Sequence, residues 1–172
     1  YVAMRKDDKA GLVTFNEYFD TFVPASKQVG QMQTLLENLY KQETTFGETD
    51  FSALCGHLGK HVNKRSFLVL YTNFSNMTSL NRQLVYLQQL ARQHRVLVVF
   101  FEDADLKEYI AGKSVTTEEY YRHVIAEKFA FEKRLIVSTL KQHGIYSLLT
   151  TPDKLSIDVI NKYLEMKSRQ LL

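Results

Sequence analysis

Apolar and polar residues recur along this chain in two periods, and the switches between the periods mark its elements. After the turn-rich Lys6, Asp7 and Asp8, a β-branched and apolar run predicts a buried strand over residues 12–16. Phe19, Thr21, Phe22 and Val23 predict a second, shorter strand reached by a tight hairpin through Glu17 and Tyr18. Pro24 is expected to stop that strand, because proline cannot donate to a ladder, and so to leave it at an edge. From Ser26 as N-cap, Val29, Met32, Leu35, Leu36 and Leu39 recur at helical spacing and predict a helix with that face on the sheet. Gly47 closes the loop that follows.

The alternation then repeats. Gly47, Glu48, Thr49, Asp50 and Phe51 open a helix carrying Leu54, Leu58 and Val62, and an apolar strand over residues 67–71 runs out into Thr72, Asn73, Phe74 and Ser75. Leu80, Leu84, Leu87 and Leu90 mark the next helix, and residues 96–101 the next strand. A long helix starts at Thr116 or Thr117, holds Tyr120, Val124, Phe131, Leu135 and Val137 among its apolar positions, and ends at Gly144, where a left-handed cap is expected. Residues 145–149 read as the last strand. Pro152 and Asp153 start a terminal helix with Leu155, Val159, Ile160 and Leu164. Continuous apolar strands alternating with helices predict an α/β fold: a mostly parallel sheet with helices on both faces.

Composition narrows the class further. With 172 residues, 45% hydrophobic and 24% charged, the chain is one domain's worth and buries a substantial core. Its longest wholly apolar run, residues 96–101, is far short of the roughly 20 residues that span a bilayer, and no charged-then-apolar leader precedes it. The net charge of +3 is spread through interleaved Lys, Arg, Asp and Glu, which describes a solvated surface rather than a nucleic-acid stripe. Cys55 is the single cysteine, so no internal disulfide forms, and a cytoplasmic location is compatible with it.

The candidate chemistry is thin. His57 and His61 share a helix face, but the glutamate of a zinc-binding His-Glu-x-x-His is missing, and they read as surface or packing histidines. Glu119, His123 and Glu127 line a helix at four-residue spacing and read as a solvated face of attractive pairs. Cys55 and His57, two apart, do not face each other as nucleophile and base, so the thiol reads as buried. Tyr120, Tyr121, Phe129 and Phe131 are expected in the core. No nucleophile elbow, phosphate loop or dinucleotide fingerprint is present.

Residues 10–15, residues 47–51 and residues 65–74, in that order and spacing, resemble successive blocks of a von Willebrand factor A-like domain. With His94 to Val99 and the acidic Glu102 and Asp103 after them, they resemble more narrowly the bacterial family catalogued as domain of unknown function 58. The resemblance implies a sheet of about six strands and, in complete metal-binding members, an Mg²⁺ ion at its top. That ion is held by an Asp-x-Ser-x-Ser loop, a threonine and an aspartate. Thr49 matches the threonine, while Asn73 stands where the aspartate would be. No Asp-x-Ser-x-Ser precedes Gly11, so the domain is expected to lack its first strand and first loop, and its metal site to be degenerate with no cofactor bound. Mg²⁺ is expected only if a parent protein supplies the missing loop.

The resemblance therefore implies a non-enzymatic protein interaction module over residues 1–172. Its protein partner would belong to a MoxR-type ATPase system, and it would be cytoplasmic or the soluble part of a membrane-anchored parent. Contacts are expected on Glu48, Thr49, Asp50, Asn73, Ser75 and Asn76, and replacing these by alanine is expected to spare stability. A small-ligand protein or enzyme using Thr49, Asp50 and Asn73 in a strand-top cleft is the alternative. The absent central strand would leave residues 12–16 and 67–71 without a shared neighbour, so that the two re-pair directly, recruit an upstream segment, or exchange strands in a homo-oligomer.

Overall fold

Strand and helix take turns where the two periods predict them, and local chemistry decides where each begins. A computed structural model describes residues 1–16, 19–43, 49–74, 76–102, 106, 109, 110, 112 and 116–172. Glu17, Tyr18, Gly47, Glu48, Ser75 and Asp103 lie outside the described residues. The chain divides into two compact units, Tyr1–Asn63 and Lys64–Leu172.

In the first unit, α1 (Val2–Arg5) precedes a two-stranded antiparallel sheet of β1 (Ala10–Phe15) and β2 (Phe19–Ser26), followed by α2 (Gln31–Tyr40) and α3 (Phe51–His61). Leu12 faces Val23, Val13 faces Phe22 and Thr14 faces Thr21. Pro24 does not stop β2. The register slips between Ala10 opposite Ser26 and Leu12 opposite Val23, so Pro24 and Ala25 together oppose Gly11. Such a bulge is where a missing N–H costs no ladder bond. Only glycine fits opposite it: a Cβ on Gly11 would lie 2.7 Å from the Val23 oxygen and 2.9 Å from the Ala25 nitrogen. The Gln31 side-chain amide secures the end of the hairpin, Nε2 donating to the carbonyls of Ala10 at 2.8 Å and Pro24 at 2.9 Å.

That bond also explains why α2 begins late. Ser26 ends β2, and its Oγ accepts from the Gln28 N–H instead of capping a helix. The helix is entered through Gly30 at φ 92°, a left-handed conformation that suits glycine. The face of α2 that is removed from water carries Gln31, Met32, Leu35 and Asn38, whereas Val29, Leu36 and Leu39 are exposed, contrary to their helical spacing. α3 holds most of this unit's fully buried residues, Phe51, Leu54, Cys55 and Leu58, with Phe51 meeting Phe15 edge to face at 5.4 Å.

The second unit is built on a three-stranded parallel sheet in the order β3 (Phe67–Tyr71), β4 (Arg95–Phe101), β5 (Tyr146–Thr150). α4 (Met77–Gln93) and α5 (Thr117–Gln142) make the crossovers, and α6 (Leu155–Ser168) follows β5. Two successive right-handed crossovers in one direction set α4 and α5 on the same face, where they touch. Register then fixes the faces. Phe67, Arg95, Leu97 and Tyr146 share one side, where Tyr163 of α6 meets the Phe67 ring and Lys162 lies over Tyr146. Phe100, three residues along from Leu97, points to the other side, where Lys133 of α5 lies over its ring. Helices thus cover both faces of this sheet, and Val96 to Phe100 of β4 are all buried.

The described strands therefore form one antiparallel and one parallel sheet rather than a single mostly parallel sheet of six. β1 belongs to the sheet of the first unit and β3 to that of the second. α5 starts at a capping box, Thr116 accepting from the Glu119 N–H and Glu119 from the Thr116 N–H, and ends before Gly144 at φ 72°. Its buried stripe is Ala126, Ile136 and Leu140. Tyr120, Tyr121, Phe129 and Phe131 are exposed, which corrects the expectation that they are core, and Val124 and Leu135 are exposed with them; Tyr120, Val124, Phe131 and Leu135 lie across the helix from the buried stripe, whereas Phe129 is on its side. Among the described residues no helix is long and apolar enough to cross a membrane.

Candidate functional site

In the second unit, the carboxyl ends of the parallel strands form a polar rim. The Thr72 N–H donates to the Val99 carbonyl at 3.0 Å and the Glu102 N–H to the Thr150 carbonyl at 2.9 Å, so the three chain ends leave the sheet side by side. Thr150 Oγ1 donates to Asp158 of α6 at 2.5 Å. Asn73 Oδ1 accepts from Lys133 Nζ at 2.5 Å, and the same ammonium donates to the Phe74 carbonyl at 2.8 Å. Lys133 also lies 5.5 Å from the centroid of the buried Phe100 ring. Burial pushes its pKa down, a cost that two hydrogen bonds and a ring face offset.

Beside it, Glu132 accepts from the Met77 N–H at 3.4 Å, a carboxylate at the positive end of α4. Asn76 caps that helix: its Oδ1 accepts from the Ser79 N–H at 2.9 Å while Ser79 Oγ accepts in return. Asn73 and Asn76 thus share the rim. Lys133 and Glu132 are the polar residues that sequence reasoning missed. Lys133 lies 60 residues from Asn73, and nothing local to either announces the pair.

Thr49 and Asp50 belong to the first unit, where both are exposed. The cap of α3 is Asp50, not Thr49: its carboxylate accepts from the N–H groups of Ser52 at 2.7 Å and Ala53 at 3.2 Å. The Asp50 N–H donates to the Asn16 carbonyl at 2.8 Å, tying the loop to the end of β1. Alanine at Asp50 or Asn76 would remove a helix cap, so at these two positions a loss of stability is expected.

The residues present do not fit a divalent ion. Asn73 offers a neutral carbonyl oxygen, and an ammonium is already bonded to it. Like unit charges 4 Å apart repel by about 4 kcal/mol at an effective dielectric near 20, and a divalent ion doubles that. Among the described residues no three His, Cys, Asp or Glu side chains come together as a metal would require. His57 and His61 stack ring on ring at 3.9 Å, with Phe22 against both. Burial, then His61 and Lys60, hold the His57 pKa down. His123 meets Glu127 at 3.5 Å, a pair along the helix, and Glu119 is spent in the capping box. Cys55 is buried, with its pKa raised to about 11 by burial and by Asp50, so at neutral pH it is a thiol and not a nucleophile.

No curated protein and no solved structure matches the chain. Residues 1–113 match the family described as protein of unknown function DUF58. The match takes in the first unit, β3, α4, β4 and, of the rim, Asn73 and Asn76; it stops before α5, so Lys133, Glu132 and Thr150 lie outside it. Since it covers well over half of the sequence, the chain belongs to the DUF58 family, whose domains are von Willebrand A-like.

Proposed function

We propose that this chain is a non-enzymatic protein interaction module with a degenerate metal site, and that the Asn73 rim of its second unit meets the partner. The observation that carries the reading is the Lys133 ammonium on Asn73 Oδ1 and the Phe74 carbonyl. The resemblance sets Asn73 where metal-binding von Willebrand A-like domains have an aspartate ligand, and the positive charge bonded to Asn73 is covalently part of the chain. The rim then offers charged and polar hydrogen-bonding groups to a protein surface without Mg²⁺. Thr49 and Asp50 supply a separate contact group in the first unit. The partner class that family membership favours is a MoxR-type ATPase, and the compartment the cytoplasm.

The test is binding of a purified MoxR-type ATPase to the immobilised chain, with and without EDTA. Binding is expected to ignore the chelator and to weaken about tenfold in Asn73→Ala and in Lys133→Met, a loss of about 1.4 kcal/mol each. Asn76→Ser, which keeps a helix cap, separates contact from stability at the third position. Binding that EDTA abolishes, or micromolar Mg²⁺ affinity in titration calorimetry, would overturn the reading.

A further inference from the structure

His94 is a buried titratable group of the second unit that the rim does not use. It follows α4 and precedes Arg95 in extended backbone, and it is 2% exposed. Arg95 lies on the α6 side, its Nε donating to the Leu171 carbonyl, so by alternation the His94 ring lies on the other side of the sheet, with α4 and α5. The Ser66 N–H donates to His94 Nδ1 at 3.3 Å. A backbone N–H can only donate, which fixes the tautomer: Nδ1 holds the lone pair and Nε2 carries the proton. Nε2 is buried and meets no acceptor among the described residues.

Ser66 is the residue before β3. Its carbonyl accepts from the Arg95 N–H at 2.9 Å and its Oγ donates to the Lys64 carbonyl at 2.9 Å, so the bond to His94 completes a set of three that fixes the course of residues 64–66. The first unit ends just before them, at Asn63. A second proton on the ring would put an N–H at Nδ1, donor facing donor, and a charge in a buried place. Burial already holds the His94 pKa below its ordinary value, and among the described residues no carboxylate offsets that. The charged groups at this end of the α4 and α5 side are exposed cations, Arg92 of α4, Lys141 of α5, and Lys64 and Arg65 before β3. The other titratable group there, His143, is bonded to Gln88 at 2.8 Å. Glu165 of α6 is on the opposite side, where Lys162 and Arg169 hold it.

We propose that His94 is an acid-sensitive latch on the chain entering β3: as a neutral ring it holds the Ser66 N–H, and on taking up a proton it releases residues 64–66. The opening is local and leaves the centre of β4 in place. The released ring takes up its proton at about pH 6.5, ahead of the held one, so the open population grows as pH falls. Native-state hydrogen exchange of the whole chain reads this as the protection of each amide relative to an unstructured chain at the same pH. Protection of the Ser66 amide is expected to fall roughly tenfold from pH 7 to pH 5. Low urea should leave Ser66 unchanged, because a local opening exposes little surface, while it lowers the protection of the Leu97 amide at the centre of β4. His94→Gln, which cannot take up the proton, should remove the pH dependence at Ser66, and His143→Gln should leave it. The ring nitrogen resonances of the unsubstituted chain make the same test without a variant: Nδ1 should be the unprotonated nitrogen at pH 7, and the Ser66 amide proton should shift as the ring protonates. Ser66 protection that is flat between pH 7 and pH 5, that follows urea as Leu97 does, or that keeps its pH dependence in His94→Gln would overturn the inference, as would an Nδ1 protonated at pH 7.

Discussion

β1 and β4 are built from similar residues, Leu12, Val13 and Phe15 in one and Leu97, Val98, Val99 and Phe100 in the other, yet their burial differs. β4 lies between two parallel neighbours with helices on both faces, and Val96 to Phe100 are each no more than 2% exposed. Among the described residues β1 has a single partner strand, and none of its residues is fully buried. The apolar content of a strand records what it can bury. The neighbours it acquires decide what it does bury. In the first unit, α2 and α3 pack on the hairpin, the Gln31 amide bonding its end and the Phe51 ring meeting Phe15, while Asp50 caps α3.

The largest expected effect breaks this comparison directly. Phe100→Ala removes a ring with no exposed surface and should cost about 3–5 kcal/mol, measured by urea unfolding, while Leu12→Ala in half-buried β1 should cost well under that. Equal losses would show that the two strands are buried alike. A smaller effect compares the units on identical chemistry: Asp50→Ala and Asn76→Ala each delete a helix cap and should each cost about 1 kcal/mol. Hydrogen exchange should localise the first loss to α3 and the second to α4, and exchange raised evenly through both units would contradict it.

Much of this architecture is legible in the sequence because short-range patterns carry it: β3, α4, β4 and the Gly144 end of α5 all fall where periodicity and caps predict. What escapes is what depends on a distant partner. The bulge that accommodates Pro24 needs Gly11 across the ladder, and the late start of α2 needs the carbonyls of Ala10 and Pro24. Tyr120 and Phe131 look like core because periodicity reports a stripe without saying which side of the helix the sheet is on. Of the candidate residues, Asp50, Asn73 and Asn76 stand at element ends as expected, but the bond between Asn73 and Lys133 has no local signature.

Smaller again is the response to mild acid. His94 is buried, its Nδ1 accepts from the Ser66 N–H at 3.3 Å, and burial lowers its pKa below the ordinary 6.5. The unfolded chain therefore binds the proton first, so stability is full above the unfolded pKa and falls as pH drops from about 6.5 toward the folded value. His57 acts in the same direction in the first unit. His94→Gln should flatten the slope of stability between pH 7 and 5 for the second unit, and His57→Gln for the first; a slope unchanged by both would assign it to the carboxylates. The smallest effect is at Cys55, whose raised pKa favours the folded thiol and withdraws that contribution as pH rises from 9.0 to about 11. Labelling by iodoacetamide at pH 7 should be slow in the folded chain and rapid in urea. Rapid labelling without urea would place the thiol at the surface.

The ammonium of Lys133 gives the rim one further property. A bound divalent ion is an occupancy: it rises and falls with supply, with competitors and with dilution, and whatever depends on it becomes conditional. A charge carried on the chain's own side chain comes with every molecule that folds, and its occupancy answers to pH rather than to the supply of a metal. On the reading proposed above, a surface arranged around it does not wait on the supply of a metal ion.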